Sequence, residues 1–411
     1  MAEQAKKIVP SIRFKGFSEE WEKNELGEVL TERKVLQKIS NDAPILAFAS
    51  GQGVIDRNER RSNNRDHLTR DQANKIYKLT EYDDIVYNPA NLKYGAIDRN
   101  KHGRGVISPI YVTFITEEES SFIELIVKSE KFKLRALLYE EGTVVKRQSV
   151  KPENLLSLNI HITLNPEEQA QIGNFFQKID QMIGLHQRKH EKLLTLKKAM
   201  LKKMFPQNEA TTPEIRFKCF SKPWEEKKLG ECAKFSKGQG YSKGDLVASG
   251  APIVLYGRLY TNYQTEISEV DTFVIENIGS VKSTGKEVIV PSSGETPEDI
   301  ARASAIVKAG LLLGGDLNII LPSSKIDSCF LALTISNGTP RKDLEKRAQG
   351  KTVVHIRNSD LETVTVRYPA MEEQQKIGAY FRQLDELIEQ HGTQLTKLKQ
   401  IKTACLEKMF V

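Results

Sequence analysis

Arginine, lysine, amide and tyrosine side chains crowd into four stretches of this chain, and together they suit one kind of chemistry. GVIDRNERRSNNRDHLTR carries Arg57, Arg60, Arg61, Arg65 and Arg70, and NLKYGAIDRNKHGRG carries Lys93, Tyr94, Arg99, Lys101 and Arg104. KGQGYSKG supplies Lys237, Gln239, Tyr241 and Lys243, and LYGRLYTNYQ supplies Tyr256, Arg258, Tyr260, Asn262 and Tyr263. A guanidinium forks onto guanine, a side-chain amide pairs with adenine, and lysine, tyrosine or a backbone amide holds phosphate. These residues are therefore candidates for DNA contact. The competing reading is a solvated loop face, which suits Arg70 best because Asp71 stands beside it.

Residues for bond-making chemistry are not arranged in any familiar pattern. An adenine methyltransferase needs an Asn/Asp-Pro-Pro-aromatic loop for the flipped base and a glycine-rich turn for S-adenosylmethionine. The nearest strings are YNPAN at Tyr87, FASGQG at Phe48 and FSKGQG at Phe235. YNPAN lacks the second proline and the aromatic residue and reads as a turn. The two GQG strings lack the wider GxGxxG context and also read as turns, although glycine would let backbone approach a phosphate. No GxxxxGK[ST] is present for ATP, and the seven histidines form no HExxH. Cys219, Cys232, Cys329 and Cys405 form no CxxC pair, so neither a disulfide framework nor a zinc site is expected. Catalysis is expected to come from elsewhere.

The elements that position these residues are written twice. PSIRFKGFSEEWEKNELGE from Pro10 recurs as PEIRFKCFSKPWEEKKLGE from Pro213, with 12 of 19 positions identical, and the two tryptophans, Trp21 and Trp224, coincide. EEQAQIGNFFQKIDQMIGLH from Glu167 recurs as EEQQKIGAYFRQLDELIEQH from Glu372, and both blocks run on to KMF. Residues 30–150 and 233–350 show no such likeness. Drift after duplication erodes all parts alike, so a preserved frame around unlike inserts points to one scaffold presenting two different binding modules.

The second repeated block predicts a long helix in each half. Asn165 is the N-cap, Pro166 the first helical residue, Glu167 and Glu168 sit at the positive end, and Pro206 stops the first helix. Ile172, Phe176, Ile179, Ile183, His186 and Leu193 keep a heptad rhythm that Ile377, Phe381, Leu384, Ile388, His391 and Leu398 repeat. These residues form the expected helix–helix seam. Antiparallel pairing with Glu167 beside Phe410 would bring His186 and His391 together, at least one of them neutral. Alternating strands at LNIHITL from Leu158 and TVTVRY from Thr363 should close the modules, with further strands at VISPIYVTFIT from Val106 and KEVIVPSS from Lys286. The fold class is therefore α/β (α+β). Its expected layout is a first module over 1–165, a spacer helix over 166–205, a linker over 206–212, a second module over 213–367 and a second spacer helix over 368–411. A length of 411 residues supports at least two cores. The net charge of +7 suits a nucleic-acid partner without requiring one. No apolar run reaches membrane length and MAEQAKKIVP lacks the apolar core of a signal peptide, so a cytoplasmic protein is expected.

With a duplicated EEQxxIGxxF helix, a duplicated W-x(4)-LGE motif, VPSSGE at Val290 and divergent inserts, the chain resembles the DNA-specificity subunits of bacterial type I restriction-modification enzymes over essentially its whole length. The departure is that Asn165-Pro166 and Tyr368-Pro369 stand where Leu-Pro often precedes the helix. The resemblance implies two target recognition domains, each reading half of a bipartite DNA site, joined by an antiparallel coiled coil that docks two methyltransferase subunits. It implies no catalysis and no cofactor in this chain. S-adenosylmethionine would belong to the methyltransferase, and ATP and Mg to a restriction and translocase subunit. The alternatives are a self-contained DNA methyltransferase and a coiled-coil scaffold without a DNA role.

Overall fold

The computed structural model describes residues 8–49, 51–59, 75–142, 148–208, 210–348, 350 and 353–411. The chain divides into two compact units, one formed by Met1–Leu185 with Leu395–Val411 and the other by His186–Gln394. Both long helices are therefore shared out: each unit owns the first part of one helix and the last part of the other.

Among the described residues of the first unit, an antiparallel sheet runs in the order Thr31–Glu32, Val112–Ile115, Ile85–Tyr87, Ile97–Arg99. A second sheet joins Leu36–Gln37, Tyr77–Thr80 and Gly105–Ile107, and Leu46–Ala49 pairs with Gly53–Asp56. Helix α1, Ser120–Val127, packs on the Ile97–Arg99 strand. The stretch expected as one strand from Val106 is two, because Pro109 sits in a turn closed by the Tyr111 amide on the Ser108 carbonyl at 3.1 Å. Helix α2, Pro166–Lys203, starts as expected: the Asn165 side chain accepts from the amides of Glu167 (3.0 Å) and Glu168 (3.2 Å).

The second unit holds different sheets. One runs Ala233–Lys237, Leu317–Pro322, Val288–Pro291, Ser304–Ile306, Glu266–Ile267, the last pair parallel. Another runs Leu246–Val247, Phe273–Val274, Ala251–Val254, Ala309–Leu313, Lys282–Thr284 and contains one parallel pair. Helix α3, Ser328–Asn337, is buried on almost every face. Helix α4 spans Met371–Met409, beginning after the Thr365–Tyr368 strand and two further residues, Pro369 and Ala370.

Around these unlike sheets the frame is the same in both units. The strand after the tryptophan pairs with the strand before the long helix, Glu22 opposite Ile162 in one unit and Glu225 opposite Tyr368 in the other. Trp21 meets Phe122 edge-on at 5.5 Å and Phe410 at 5.7 Å; Trp224 meets Phe330 at 5.5 Å and Phe205 at 6.4 Å. Each KMF end thus plugs the aromatic core of its unit. Edge-to-face stacking of buried rings adds about 0.5–1.5 kcal/mol per pair beyond the area buried.

Within each unit the helices run antiparallel. In the first, Phe176 lies against Phe410 and Asp180 accepts from Lys402 at 2.6 Å; in the second, Phe381 lies against Phe205 and Asp385 pairs with Lys197. Ile172, Phe176, Ile179 and Leu398 are buried in the first unit, and Ile377, Phe381 and Leu384 in the second; Ile183, Leu193 and Ile388 are half-buried. His186 and His391 meet, Nδ1 to Nδ1 at 3.0 Å.

Candidate nucleic-acid interface

The residues proposed for DNA contact fall into three groups. Arg60, Arg61 and Arg65, with Arg70, lie outside the described residues. Arg57 is half-buried in the single turn Arg57–Glu59. Lys93 is half-buried against Tyr94, 5.6 Å from its ring centre, with Glu140 at 3.8 Å, while the Tyr94 ring is exposed.

Arg99 corrects the expectation. It lies in a strand covered by α1, only 5% exposed, with its guanidinium held by Glu124 at 2.9 Å and Asp83 at 2.6 Å. The buried Asp98 and the exposed Lys128 complete the charge cluster. Burial opposes the Glu124 carboxylate, but Lys128, Lys101 and Arg99 outweigh it and bring the carboxyl down to about 2. Burial dominates at Asp98, whose carboxyl is raised despite Lys128. A guanidinium spent on such a cluster is an anchor, and removing it takes one of three cations from the buried Glu124 carboxylate. What it anchors is the neighbouring turn. Asn100, fully buried, donates to Thr80 at 3.0 Å and to the Gly103 carbonyl at 2.8 Å, and accepts from the amides of His102 and Gly103. The turn so fixed presents Lys101, His102 and Arg104 on the surface, Lys101 reaching back to Glu124 and Arg104 to Glu81, both at 2.5 Å.

The second unit makes a similar division. Lys237, Gln239, Lys243 and Asn262 are exposed, and Tyr256 is 38% exposed. Arg258 is tied to Asp271 at 2.7 Å and Gln264 at 3.0 Å, holding the turn Arg258–Thr261 to the following loop. Tyr260 donates to the Ser293 carbonyl at 2.5 Å and Tyr263 to the Ala303 carbonyl at 3.1 Å, so neither hydroxyl is offered to a ligand. Burial raises both phenols above the usual range. Tyr241 is a brace between two loops, its hydroxyl accepting from the Asn277 amide at 2.7 Å and lying 2.6 Å from Ser280 Oγ.

Two sets of residues escaped the sequence reading. Ile275 and Ile278 are large apolar side chains 72% and 108% exposed, on a loop with no basic signature. Arg13 and Arg216, in the repeated IRF, hold the buried Glu168 and Glu373 of the repeated EEQ, each through two guanidinium nitrogens, with one contact of 2.7 Å in both cases. The signal for the second set was present, since both members of each pair recur together.

The geometry therefore separates a frame made of the recurring residues from surfaces made of the varying ones. A family profile described as type I restriction modification DNA specificity domain matches residues 221–400. This part of the chain is thus similar to the DNA specificity domain of type I restriction-modification systems. Two curated relatives from Methanocaldococcus jannaschii are each 26% identical to this chain. The type I restriction enzyme MjaVIII specificity subunit aligns over 264 residues, 56% of this chain and 56% of its own length. The putative MjaX specificity subunit aligns over 287 residues, 64% of this chain and 63% of its own length. The aligned part of the chain thus spans less than two thirds of either relative. The S subunit of a type I restriction-modification system from M. genitalium shares the fold, with a TM-score of 0.60 at 16% identity over 98% of this chain and 99% of that one. Among the described residues, no helix is long and apolar enough to cross a membrane.

Proposed function

We propose that this chain is the sequence-recognition subunit of a type I restriction-modification complex. Each unit reads one half of a bipartite duplex DNA site, and the chain carries two copies of an adenine methyltransferase without catalysing methylation itself. The observation behind this reading is that one docking frame is built twice around sheets of different topology. A frame that repeats suits a partner that repeats, and surfaces that differ suit two different half-sites. S-adenosylmethionine would be bound by the methyltransferase, and ATP and Mg by a restriction subunit where one is present.

The long helices offer the partner a repeated surface. Met182 and Ile401, 46% and 49% exposed, stand within two residues along the chain of Asp180 and Lys402, the ion pair of the first unit. Leu387 and Leu196, 42% and 39% exposed, stand at the corresponding positions, within two residues along the chain of Asp385 and Lys197 in the second. Leu387→Glu with Leu196→Glu should reduce the methyltransferase bound per chain from two to one, read by mass measurement of the purified complex. The wild-type complex should shift a duplex carrying its site, with an affinity that falls steeply as salt rises. A complex that keeps two methyltransferases in the double variant, or a wild-type complex indifferent to DNA, would contradict the proposal.

A further inference from the structure

Ile278 is the most exposed large apolar side chain among the described residues, at 108%, and Ile275 close by is 72% exposed. Both stand on the loop between Phe273–Val274 and Lys282–Thr284. Asn277 to Ser280 form a turn closed by the Ser280 amide on the Asn277 carbonyl at 3.2 Å, with Gly279 at a φ of +86°. Such a turn needs glycine at its third position, but nothing in it calls for isoleucine at its second, where proline is favoured.

The turn is also held from outside. The Tyr241 hydroxyl accepts from the Asn277 amide at 2.7 Å and meets Ser280 Oγ at 2.6 Å, and Ser280 Oγ closes on the Asn277 carbonyl at 2.7 Å. Tyr241 has a φ of +55°, a left-handed conformation uncommon for an aromatic residue. A strained aromatic residue is thus committed to fixing a turn whose tip touches nothing. A group fixed before it meets its ligand loses less freedom on binding. The brace also joins this tip to the segment bearing Lys237 and Lys243, whose ammonium groups lack a carboxylate partner among the described residues. The loop's own charges, Glu276 and Lys282, neutralise each other at 2.7 Å, so an apolar tip tied through Tyr241 to a segment with two unpaired lysines suits a ligand with a polyanionic backbone and small apolar features on its base edges.

We propose that Ile278 is a specificity-determining residue that contacts the C5 methyl group of a thymine in the major groove of the half-site read by the second unit, with Tyr241 as its positioning residue. The major groove displays that methyl, and an apolar side chain distinguishes it from cytosine, which lacks it. The inference rests on the DNA-recognition reading above. A protein partner on this tip, or a wedge driven between base steps, would give a different outcome in the test below.

The test uses the full chain bound to its methyltransferase and duplexes in which each thymine of that half-site is replaced in turn by deoxyuridine, which lacks only the methyl. One replacement should weaken wild-type binding by roughly 3- to 10-fold, the scale of one buried methyl group. Ile278→Ala should weaken binding to the unmodified duplex by a similar factor and show no further loss on the deoxyuridine duplex. Its side chain makes no packing contact, so the melting temperature should be unchanged. If Ile278→Ala binds as tightly as wild type, or is weakened without any deoxyuridine sensitivity in wild type, the inference is overturned. A wild-type complex that binds no DNA would instead remove the reading on which it rests.

Discussion

Arg13 shows what a recurring residue of the frame does. Its guanidinium grips Glu168, which is fully buried, and that pairing raises the guanidinium above its ordinary range. Arg13→Ala would leave a buried carboxylate without its cation. Breaking such a pair costs about 3–5 kcal/mol, so urea unfolding should show the first unit destabilised by that amount and the second unit unaffected. A loss near ~0.5 kcal/mol would mean that the carboxylate is solvated by other means. The remaining motif letters follow the same logic. Gln169 accepts from the Glu119 amide and Gln374 from the Asp327 amide, both at 2.9 Å, locking the short helices to the long ones. A side chain at Gly173 would run into Ser121, with Oγ at 1.9 Å. At this scale the recurring residues were legible in the sequence, whereas the ion pairs of Arg99 and Arg258 were not. Arg99 and Arg258 have the composition of base readers, but only their carboxylate neighbours, distant in sequence, show them to be anchors.

The helices were the most legible elements, because a heptad rhythm over ten turns and an Asn-Pro cap leave few alternatives. Strands were less so: Pro109 split one, and the order of strands in each sheet depends on long-range pairing that no local pattern encodes. The meeting of His186 and His391 follows from equal heptad positions in antiparallel helices. At 3.0 Å one imidazole donates and the other accepts, so the contact needs at least one neutral ring. His391 is lowered from its ordinary value by partial desolvation first, then by the charges of His186, Lys189 and His190. A lowered folded pKa means that the unfolded chain takes up the proton more readily. The stability gained is therefore complete above the unfolded value of about 6.5 and is lost as pH falls through the folded one. His391→Gln should melt below wild type at pH 8 by more than it does at pH 5.5. A difference independent of pH would show that the pair does not titrate as described.

The molecule as a whole builds one repeated frame around two unlike sets of sheets, and this division was visible in the sequence as blocks that recur and blocks that do not. Which loop tips matter was not visible. Tyr241 and the turn from Asn277 to Ser280 are brought together by folding, and neither the spacing nor the residue types of the two segments announce it. If the frame positions and the inserts specify, the halves of the recognised site must be separable. The most direct test exchanges residues 213–367 for the corresponding segment of another specificity subunit, expresses the chimera with its methyltransferase, and maps methylated adenines by single-molecule sequencing. The account predicts a bipartite motif in which one half is retained and the other is replaced by that of the donor. A chimera that folds and methylates but has changed both halves, or neither, would contradict it.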